Sequence, residues 1–537
     1  MLAQVLLLLA VARAAAAGPP LPSQLQAMVD AAVAARAPRF AIPPTDAGGY
    51  FFGALNFTVV GARDFVLEGG GATLWFAPGF GLYCSSCARV HLRNFTIDYA
   101  PLAFAQGTLV SMDPANASFV ADFDAPEASG LAEYPLPDSA LYPWFVNGTI
   151  TTGGNKAMFW GTQPSPLQLP NQTGVCLWAA TWRVDAALPR RYGVALNNSP
   201  FTSANCFKDG SYFGSAVPGL TRVTVSPRDG FALQLVNSSA CVVEDVVAYG
   251  AGSMAFAEFS GEGGHAWRRL LLTRRPATQR LLSANADGFQ SSSTRVGPLL
   301  EDSELAFIAD DFINVHSRIA VVLAAEPPSA LVIVDTGGAH IPGVGGSRAG
   351  DALHFFEPFT SPIAALGGAT VATVAPVTDA ATWAAARALP AAMNSPGVCA
   401  AAPAAPCVRD FSQTAVPWRV TFAGGVLPTG LPQYALVQAA ALQSAGALLR
   451  NNSFHDGFDK CASMNGGGGV LAGNRFERVN AAPCVNVGGY FFWMEGALGL
   501  ANVRVENNTF VGLGRSDAEV IAVHDATNVS VRGNVYE

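Results

Sequence analysis

Short apolar runs separated by glycine and asparagine recur along much of the chain. Near the start, the runs at 55–61, 64–69 and 90–99 are rich in β-branched and aromatic residues. Runs of this kind, interrupted by turn-forming residues, predict short β-strands joined by tight turns. Three successive glycines at 69–71 suit a sharp corner between two such strands.

The clearest repeat lies near the end of the chain. Asn452 and Asn474 are 22 residues apart, and so are Phe454 and Phe476. The run at 503–510 and the last seven residues repeat the pattern after longer loops. A strand, an asparagine at a turn and an inward aromatic side chain, repeated once per coil, are typical of a solenoid. We therefore predict an all-β fold, a right-handed parallel β-helix, since an ordinary β-sandwich does not give this repeated register.

The coil spacing lapses twice, and at each lapse we expect an inserted β-barrel-like domain. The first lapse is richer in Pro, Asp and Trp, and the second contains an alanine-rich segment, Asp379–Met393, that predicts a short helix. The predicted organisation is a signal peptide at 1–17, N-terminal coils at 18–100, a first insertion at 101–220, central coils with the active site at 221–330, a second insertion at 331–440 and C-terminal coils at 441–537.

The N-terminal sequence and the composition indicate a secreted protein. The first 17 residues join an apolar run too short to span a bilayer to small residues suited to cleavage near Ala17. A membrane anchor is the alternative. Charged residues are 13% of the chain and the net charge is −8, with no long run of either sign. This balance argues against a nucleic-acid partner and is compatible with a neutral glycan.

The nine cysteines predict disulfides in that compartment. Cys84 and Cys87 form a C-x-x-C pair, for which we expect a local disulfide, and Cys399 and Cys407 are placed to close a loop. Several N-x-S/T sequons occur, among them Asn56, Asn94, Asn147, Asn237 and Asn507. They are glycan acceptors in a eukaryotic host, or turn residues of the stacked coils.

Three carboxylates carry the candidate chemistry: Asp287 and the adjacent pair Asp310 and Asp311. Asp287 and Asp310 are 23 residues apart, which is about one coil of a β-helix, so the acids would lie on neighbouring strands about 4.8 Å apart. Crowded carboxylates raise one another's pKa, so one can remain a proton donor while another is an ionised base. Glycoside hydrolysis uses that division. A calcium site and solvated turn acids are the alternatives, but no further acid cluster completes a calcium shell, and we expect no metal or other cofactor.

Four further residues are candidates for substrate binding. Asn314 and His316 follow the acid pair at alternating positions, so both can share a face with Asp310; a purely structural histidine is the alternative. Trp493 and Glu495 offer a stacking ring and a hydroxyl acceptor, with core packing as the alternative for the tryptophan. Arg274 and Arg275, about one coil before the first acid, either tune the acids or cap a solvated coil.

The segments NADGFQ and ADDFINVH, which contain the three acids, resemble the active-site region of β-helical glycoside hydrolases. The chain resembles glycoside hydrolase family 110, the α-1,3-galactosidases, whose β-helix is interrupted by two β-barrel insertions. The resemblance implies a metal-free, inverting exo-hydrolase that removes terminal α-1,3-linked galactose. It also implies that Asp310 is the general acid and that Asp287 and Asp311 position and deprotonate the water.

Two alternatives remain. Family 28, the polygalacturonases, has Asn-Thr-Asp and Asp-Asp motifs that resemble 285–287 and 310–311. Its Gly-His-Gly and Arg-Ile-Lys motifs are missing after Asp311, and a polyuronate substrate also favours several basic residues. The other alternative is a non-catalytic, glycan-binding β-helix. Burying three carboxylates costs a structural solenoid stability, so convergence of their side chains in one pocket distinguishes an enzyme from a scaffold.

Overall fold

The fold is taken from a computed structural model of the chain. Residues 20–537 are described, except for those at 46–47, 114–117, 125–141, 148–157, 160–177, 185–189, 198–217, 220, 227–229, 327, 338–342, 359–363, 396–407, 409–410, 426–429, 458, 480–482, 489–493, 497 and 514–519. The predicted signal peptide therefore lies outside the described residues.

Two long parallel sheets form the body of the protein, and successive coils add one strand or two short strands to the larger sheet and one strand to the smaller sheet. Every strand pairing within these two sheets is parallel. The parallel β-helix expected from the repeat is confirmed. The larger sheet has 17 strands, namely Arg39–Ala41, Tyr50–Gly53, Val66–Phe76, His91–Tyr99, Val242–Ala248, Ala266–Arg268, Leu271–Leu272, Leu299–Glu301, Glu304–Ala306, Leu448–Arg450, Ser453–Gly457, Val470–Ala472, Arg475–Val479, Arg504–Glu506, Thr509–Val511, Ser530–Arg532 and Val535–Tyr536.

The second sheet carries the candidate site. Its nine strands are Phe57–Val60, Leu82–Ser85, Phe231–Val236, Met254–Phe259, Phe289–Ser292, Ile313–His316, Ala462–Met464, Val485–Val487 and Ile521–Val523. A short parallel pair, Leu500–Ala501 with Ala526–Thr527, lies apart from both sheets.

Two internal ladders explain the repeat seen in the sequence. Phe454, Phe476, Phe510 and Tyr536 stack with ring centroids 4.9, 5.3 and 5.4 Å apart. The asparagines join neighbouring coils in the same way, and the Asn474 side chain donates to Asn508 Oδ1 at 3.0 Å. Each coil therefore offers one flat ring and one amide to the next, and the fixed spacing follows.

A helix covers the N-terminal end of the coils. It runs from Pro22 to Ala34 and buries Leu25, Val29 and Ala32, the i, i+4, i+7 stripe of an amphipathic helix. Gln26 fixes it to the first strand of the nine-stranded sheet, since its amide bonds both the N–H and the C=O of Thr58. Neither this helix nor any other among the described residues is long and apolar enough to cross a membrane.

Antiparallel strands interrupt the coils twice. The first group is a seven-stranded antiparallel sheet, and the second is a closed six-stranded barrel. The sheet contains Ala105–Asp113, Ser118–Phe123, Tyr142–Asn147, Met158–Phe159, Trp178–Arg183, Arg191–Asn197 and Thr221–Ser226. The barrel contains Ala320–Glu326, Ala330–Asp335, Ala352–Phe356, Ala365–Pro376, Val416–Phe422 and Leu436–Ala439.

Both insertions include a strand that the sequence spacing assigned to the coils. Thr221–Ser226 pairs with the first sheet, and Ala320–Glu326 with the barrel. Their apolar runs are the same as those of coil strands, so spacing alone placed these two boundaries a few residues away. The alanine-rich helix runs from Ala380 to Met393 and is capped by Asp379. Short 3₁₀ turns lie at Val344–Gly346, Ala423–Gly425 and Ala440–Leu442.

The cysteines differ from the local pairing expected of them. Cys84, Cys87 and Cys241 are free and buried in the coil interior, so the expected Cys84–Cys87 disulfide is not formed. Cys87 Sγ instead donates to the Val59 carbonyl at 3.4 Å. A disulfide joins Cys461 and Cys484, the residues immediately before two adjacent coil strands, and their Cα atoms are 4.7 Å apart. The pair at 399 and 407 lies outside the described residues.

Candidate functional site

The three predicted acids lie just before two neighbouring strands of the nine-stranded sheet, Asp287 before Phe289–Ser292 and the pair at 310 and 311 before Ile313–His316. Gly288 N donates to Asp311 O at 2.9 Å, and Phe312 N donates to Lys460 O at 2.9 Å. In a parallel ladder these bonds place Asp287 beside Asp311 and Asp311 beside Lys460. The in-register partner of Asp287 is therefore Asp311, and not Asp310 as the 23-residue spacing suggested.

In the same strand register, Asp310 lies beside Asp459 on the following coil. Carboxylate oxygens of Asp310, Asp311 and Asp459 all lie within 4.8 Å of one another. We call these three residues the acid cluster; Asp287 is not part of this close group. Asp310 is half-buried, whereas Asp311 is buried with 4% of its surface exposed. The cluster therefore has a covered carboxyl and a more accessible one.

The surroundings of Asp311 control its charge. Burial raises the pKa of this carboxyl to about 7, Lys460 opposes the rise, and the neighbouring charges of Asp459 and Asp310 add to it. Lys460 Nζ lies 3.1 Å from Asp311 Oδ1, and Ser463 Oγ donates to Asp311 Oδ2 at 2.8 Å. A carboxyl in this state exchanges its proton near neutral pH, as a general acid or base requires.

Three carboxylates this close also resemble a cation site. Calcium takes six to eight oxygen ligands, and this group instead contains an ammonium ion. Lys460 Nζ is 3.1 Å from Asp311 and 3.8 Å from Asp459. We therefore interpret the acid cluster through its protons rather than through a metal.

His316 is placed behind the cluster and is fully buried. Its Nδ1 lies 3.0 Å from the Ser317 carbonyl oxygen, and its Nε2 lies 3.0 Å from the Gln290 amide nitrogen and 4.0 Å from Glu495 Oε1. The ring orders the strand, and in this arrangement no part of it is open to a ligand.

Asn314 and Glu495 are brought together at the side of the cluster. Glu495 reaches this position because the segment around it pairs antiparallel with Arg318, whose guanidinium donates to Glu495 Oε1 at 2.9 Å. Asn314 Nδ2 lies 3.4 Å from the other oxygen of Glu495, and the Asn314 backbone is in register with Ser463. Trp493, the predicted stacking ring, lies outside the described residues.

The two arginines before the first acid bind elsewhere. Arg275 pairs with Asp98 at 2.6 Å, and Arg274 stacks over the Phe307 ring at 3.6 Å. Arg280 is buried and also pairs with Asp98 at 2.6 Å. These contacts hold the segment that leads into Asp287.

Sequence reasoning missed Asp459, Lys460 and Ser463. The segment Ser453–Asn465 repeats the segment Glu304–His316 at an offset of 149 residues, which is the sequence separation of Lys460 and Asp311. The barrel lies between the two segments and conceals the repeat. An alignment of the two segments on their apolar positions would have placed these three residues beside the acids.

Comparison with known proteins gives likenesses of fold only. No protein-family model matches the chain, and no curated protein matches it in sequence. Among solved structures, the polygalacturonase of Erwinia carotovora ssp. carotovora is 8% identical, with 93% of this chain and 87% of that chain covered and a TM-score of 0.29. The A-module of a mannuronan C-5 epimerase from Azotobacter vinelandii is 10% identical, with 97% and 96% covered and a TM-score of 0.28.

A third similar structure is the tailspike of an Acinetobacter baumannii bacteriophage in complex with a capsular saccharide. It is 11% identical, with 94% of this chain and 67% of that chain covered and a TM-score of 0.16. At these identities and scores the likenesses carry no argument about activity. The β-helix itself rests on the strand pairing.

Proposed function

We propose that the protein is a secreted, carbohydrate-active enzyme, a glycoside hydrolase with its reaction at Asp287, Asp310 and Asp311. The observation that carries this proposal is the unequal pair at 310 and 311. One carboxyl is covered and has a pKa of about 7, and the other is half-buried beside it. Glycosidic bond cleavage needs one protonated and one ionised carboxyl in a single pocket.

Each acid has a role in the proposed reaction. The resemblance to family 110 assigns the proton donor to Asp310, the more accessible acid. When Asp311 is ionised, the proton shared by this close pair lies on Asp310, which donates it to the glycosidic oxygen as the bond to the anomeric carbon breaks. A water molecule attacks that carbon from the opposite face and gives up its proton to a carboxylate. Inverting enzymes hold acid and base roughly 6.5–9.5 Å apart, whereas Asp310 and Asp311 oxygens lie within 4.8 Å. We therefore place the attacking water beside Asp287. Asp311, the in-register neighbour of Asp287, shares the proton that this water gives up.

The charge of the site favours a neutral sugar. The three carboxylates of the acid cluster lie within 4.8 Å of one another, Lys460 pairs with Asp311 and lies 3.8 Å from Asp459, and Arg318 is already paired with Glu495. A uronic acid would bring another negative charge to this group. Together with the resemblance to family 110, this favours terminal α-1,3-linked galactose as the substrate, with inversion at the anomeric carbon. A polygalacturonase-like activity and a non-catalytic glycan-binding β-helix are the alternatives.

Proton NMR of the protein with Galα1,3Gal, followed from the first minutes, tests the proposal. Early β-galactose supports an inverting α-galactosidase, and early α-galactose supports hydrolysis with retention instead. Release of sugar from polygalacturonate alone would replace the galactosidase proposal with the family 28 alternative. Binding of these glycans without turnover would favour the non-catalytic alternative. Asp310→Asn serves as the inactive control, because the amide cannot donate the proton.

A further inference from the structure

Two residues on the coil after the barrel, Asp459 and Lys460, lie where they can act on the acids of the proposed reaction. Asp459 and Lys460 are adjacent in the chain, and the ladder places them directly beside Asp310 and Asp311. Their side chains are largely covered, with 28% and 14% exposed. A lysine that is this covered rarely remains without a structural or chemical role.

Lys460 is shared between two carboxylates. Its Nζ lies 3.1 Å from Asp311 Oδ1 and 3.8 Å from Asp459 Oδ1. We propose that Asp459 and Lys460 are positioning residues of the hydrolase: Lys460 holds Asp311 by an ion pair, and Asp459 competes for the same ammonium ion. This inference rests on the proposed function and extends it to the residues that set the charge of the site.

The two residues act on Asp311 in opposite directions. The ammonium ion favours the ionised carboxylate, and the neighbouring carboxylate disfavours it. The other groups that face Asp311 are Ser463, which donates a hydrogen bond, Asp310 beside it in the chain and the in-register Asp287 on the preceding coil. The balance between Lys460 and Asp459 therefore decides at which pH Asp311 is able to accept a proton.

Opposite effects of two substitutions test this role. In Lys460→Met the ion pair is lost, so the rise of kcat/KM with pH moves to higher pH by about one pH unit or more. In Asp459→Asn one repelling charge is lost, so the same rise moves to lower pH. Lys460→Arg restores the charge and returns the midpoint toward that of the parent protein. Arg89→Met, which breaks the exposed ion pair with Asp64, serves as the control and leaves the profile unchanged.

A second readout needs no substrate and separates the two hypotheses. Aspartate labelled with ¹³C at the side-chain carboxyl reports each titration by NMR, and the resonance lost in Asp311→Asn identifies Asp311. We expect its midpoint to rise in Lys460→Met and to fall in Asp459→Asn. Equal midpoints, or shifts in the same direction, would overturn the positioning role even if the protein hydrolyses glycans. Opposite shifts in a protein that hydrolyses none would overturn the proposed function and leave the charge coupling in place.

Discussion

The covered carboxyl of Asp311 makes the stability of the fold depend on pH. Its pKa is raised from 3.8 to about 7. Between these values the folded protein keeps a proton that the unfolded chain has lost, so stability falls as the pH rises through this window. Each pH unit corresponds to 1.36 kcal/mol, and the window of about three units therefore removes about 4 kcal/mol. Asp311→Asn carries no charge at either end of the window and escapes this loss.

The expected result is a difference that grows with pH. From pH 4 to pH 8 the stability of Asp311→Asn relative to the parent protein should increase by about 4 kcal/mol. With an unfolding entropy of about 2.1 cal/mol/K per residue over 537 residues, this is a gain of about 4 °C in relative Tm. Scanning calorimetry at several pH values measures it. Loss of the Lys460 contact lowers the stability of the variant at every pH. The test is therefore how the stability difference changes with pH, and not its value at one pH.

Two features of the chain sharpen this experiment. Asp302 is exposed on the same coil, and Asp302→Asn should follow the pH dependence of the parent protein. Burial raises the pKa of Asp335 to about 6, so this residue titrates in the same pH window. It is present in the parent protein and in both variants, so its contribution cancels in the stability differences. A Tm difference between Asp311→Asn and the parent that stays constant from pH 4 to pH 8 would refute the assignment of a buried, weakly acidic carboxyl at this position.

The remaining predictions concern catalysis and the scaffold. Asp310→Asn should abolish turnover and leave Tm within about 1 °C, since the residue is half-buried; near-normal kcat would remove it from the mechanism. Asn474→Ala should cost about 3 kcal/mol because it removes side-chain hydrogen bonds to Asn452 and Leu449 on the preceding coil and to Asn508 on the next one; urea unfolding beside the exposed Arg504→Ala measures this, and equal midpoints would contradict it. Asp98→Asn should cost about 3–5 kcal/mol, because Arg280 is left buried without its counterion, and an unchanged urea midpoint would argue against that ion pair.

Much of the scaffold could be predicted from the sequence because its repeat is carried by contiguous residues. Asn452 and Asn474 bond directly across one coil, and Phe454 stacks on Phe476, so the 22-residue register is visible in the sequence itself. The interruptions were visible too, as stretches where the register fails. Their edges were less visible, since Thr221–Ser226 and Ala320–Glu326 have the composition of coil strands but pair with the insertions.

The candidate site could be predicted only in part. Asp287, Asp310 and Asp311 lie within one unbroken stretch, so counting residues placed them on neighbouring coils, although it paired Asp287 with Asp310 instead of Asp311. Lys460 and Asp459 are held beside them by strand pairing across the barrel, and no local pattern indicates that adjacency. The burial of His316 also depends on groups far along the chain. The residues of this site therefore come from two segments that are far apart in the sequence.

The barrel also sets the order in which the site can be assembled during synthesis. Asp311 is separated from Lys460 by 149 residues, which a ribosome adds in about 7 to 30 seconds at 5–20 residues per second. During that interval the strand Ile313–His316 presents an unpaired edge, and the acids next to it have no ammonium ion. An unpaired edge can recruit another chain. A barrel that folds promptly shortens the time for which this edge is exposed, so substitutions that slow its folding should reduce the yield of soluble protein without altering any residue of the candidate site.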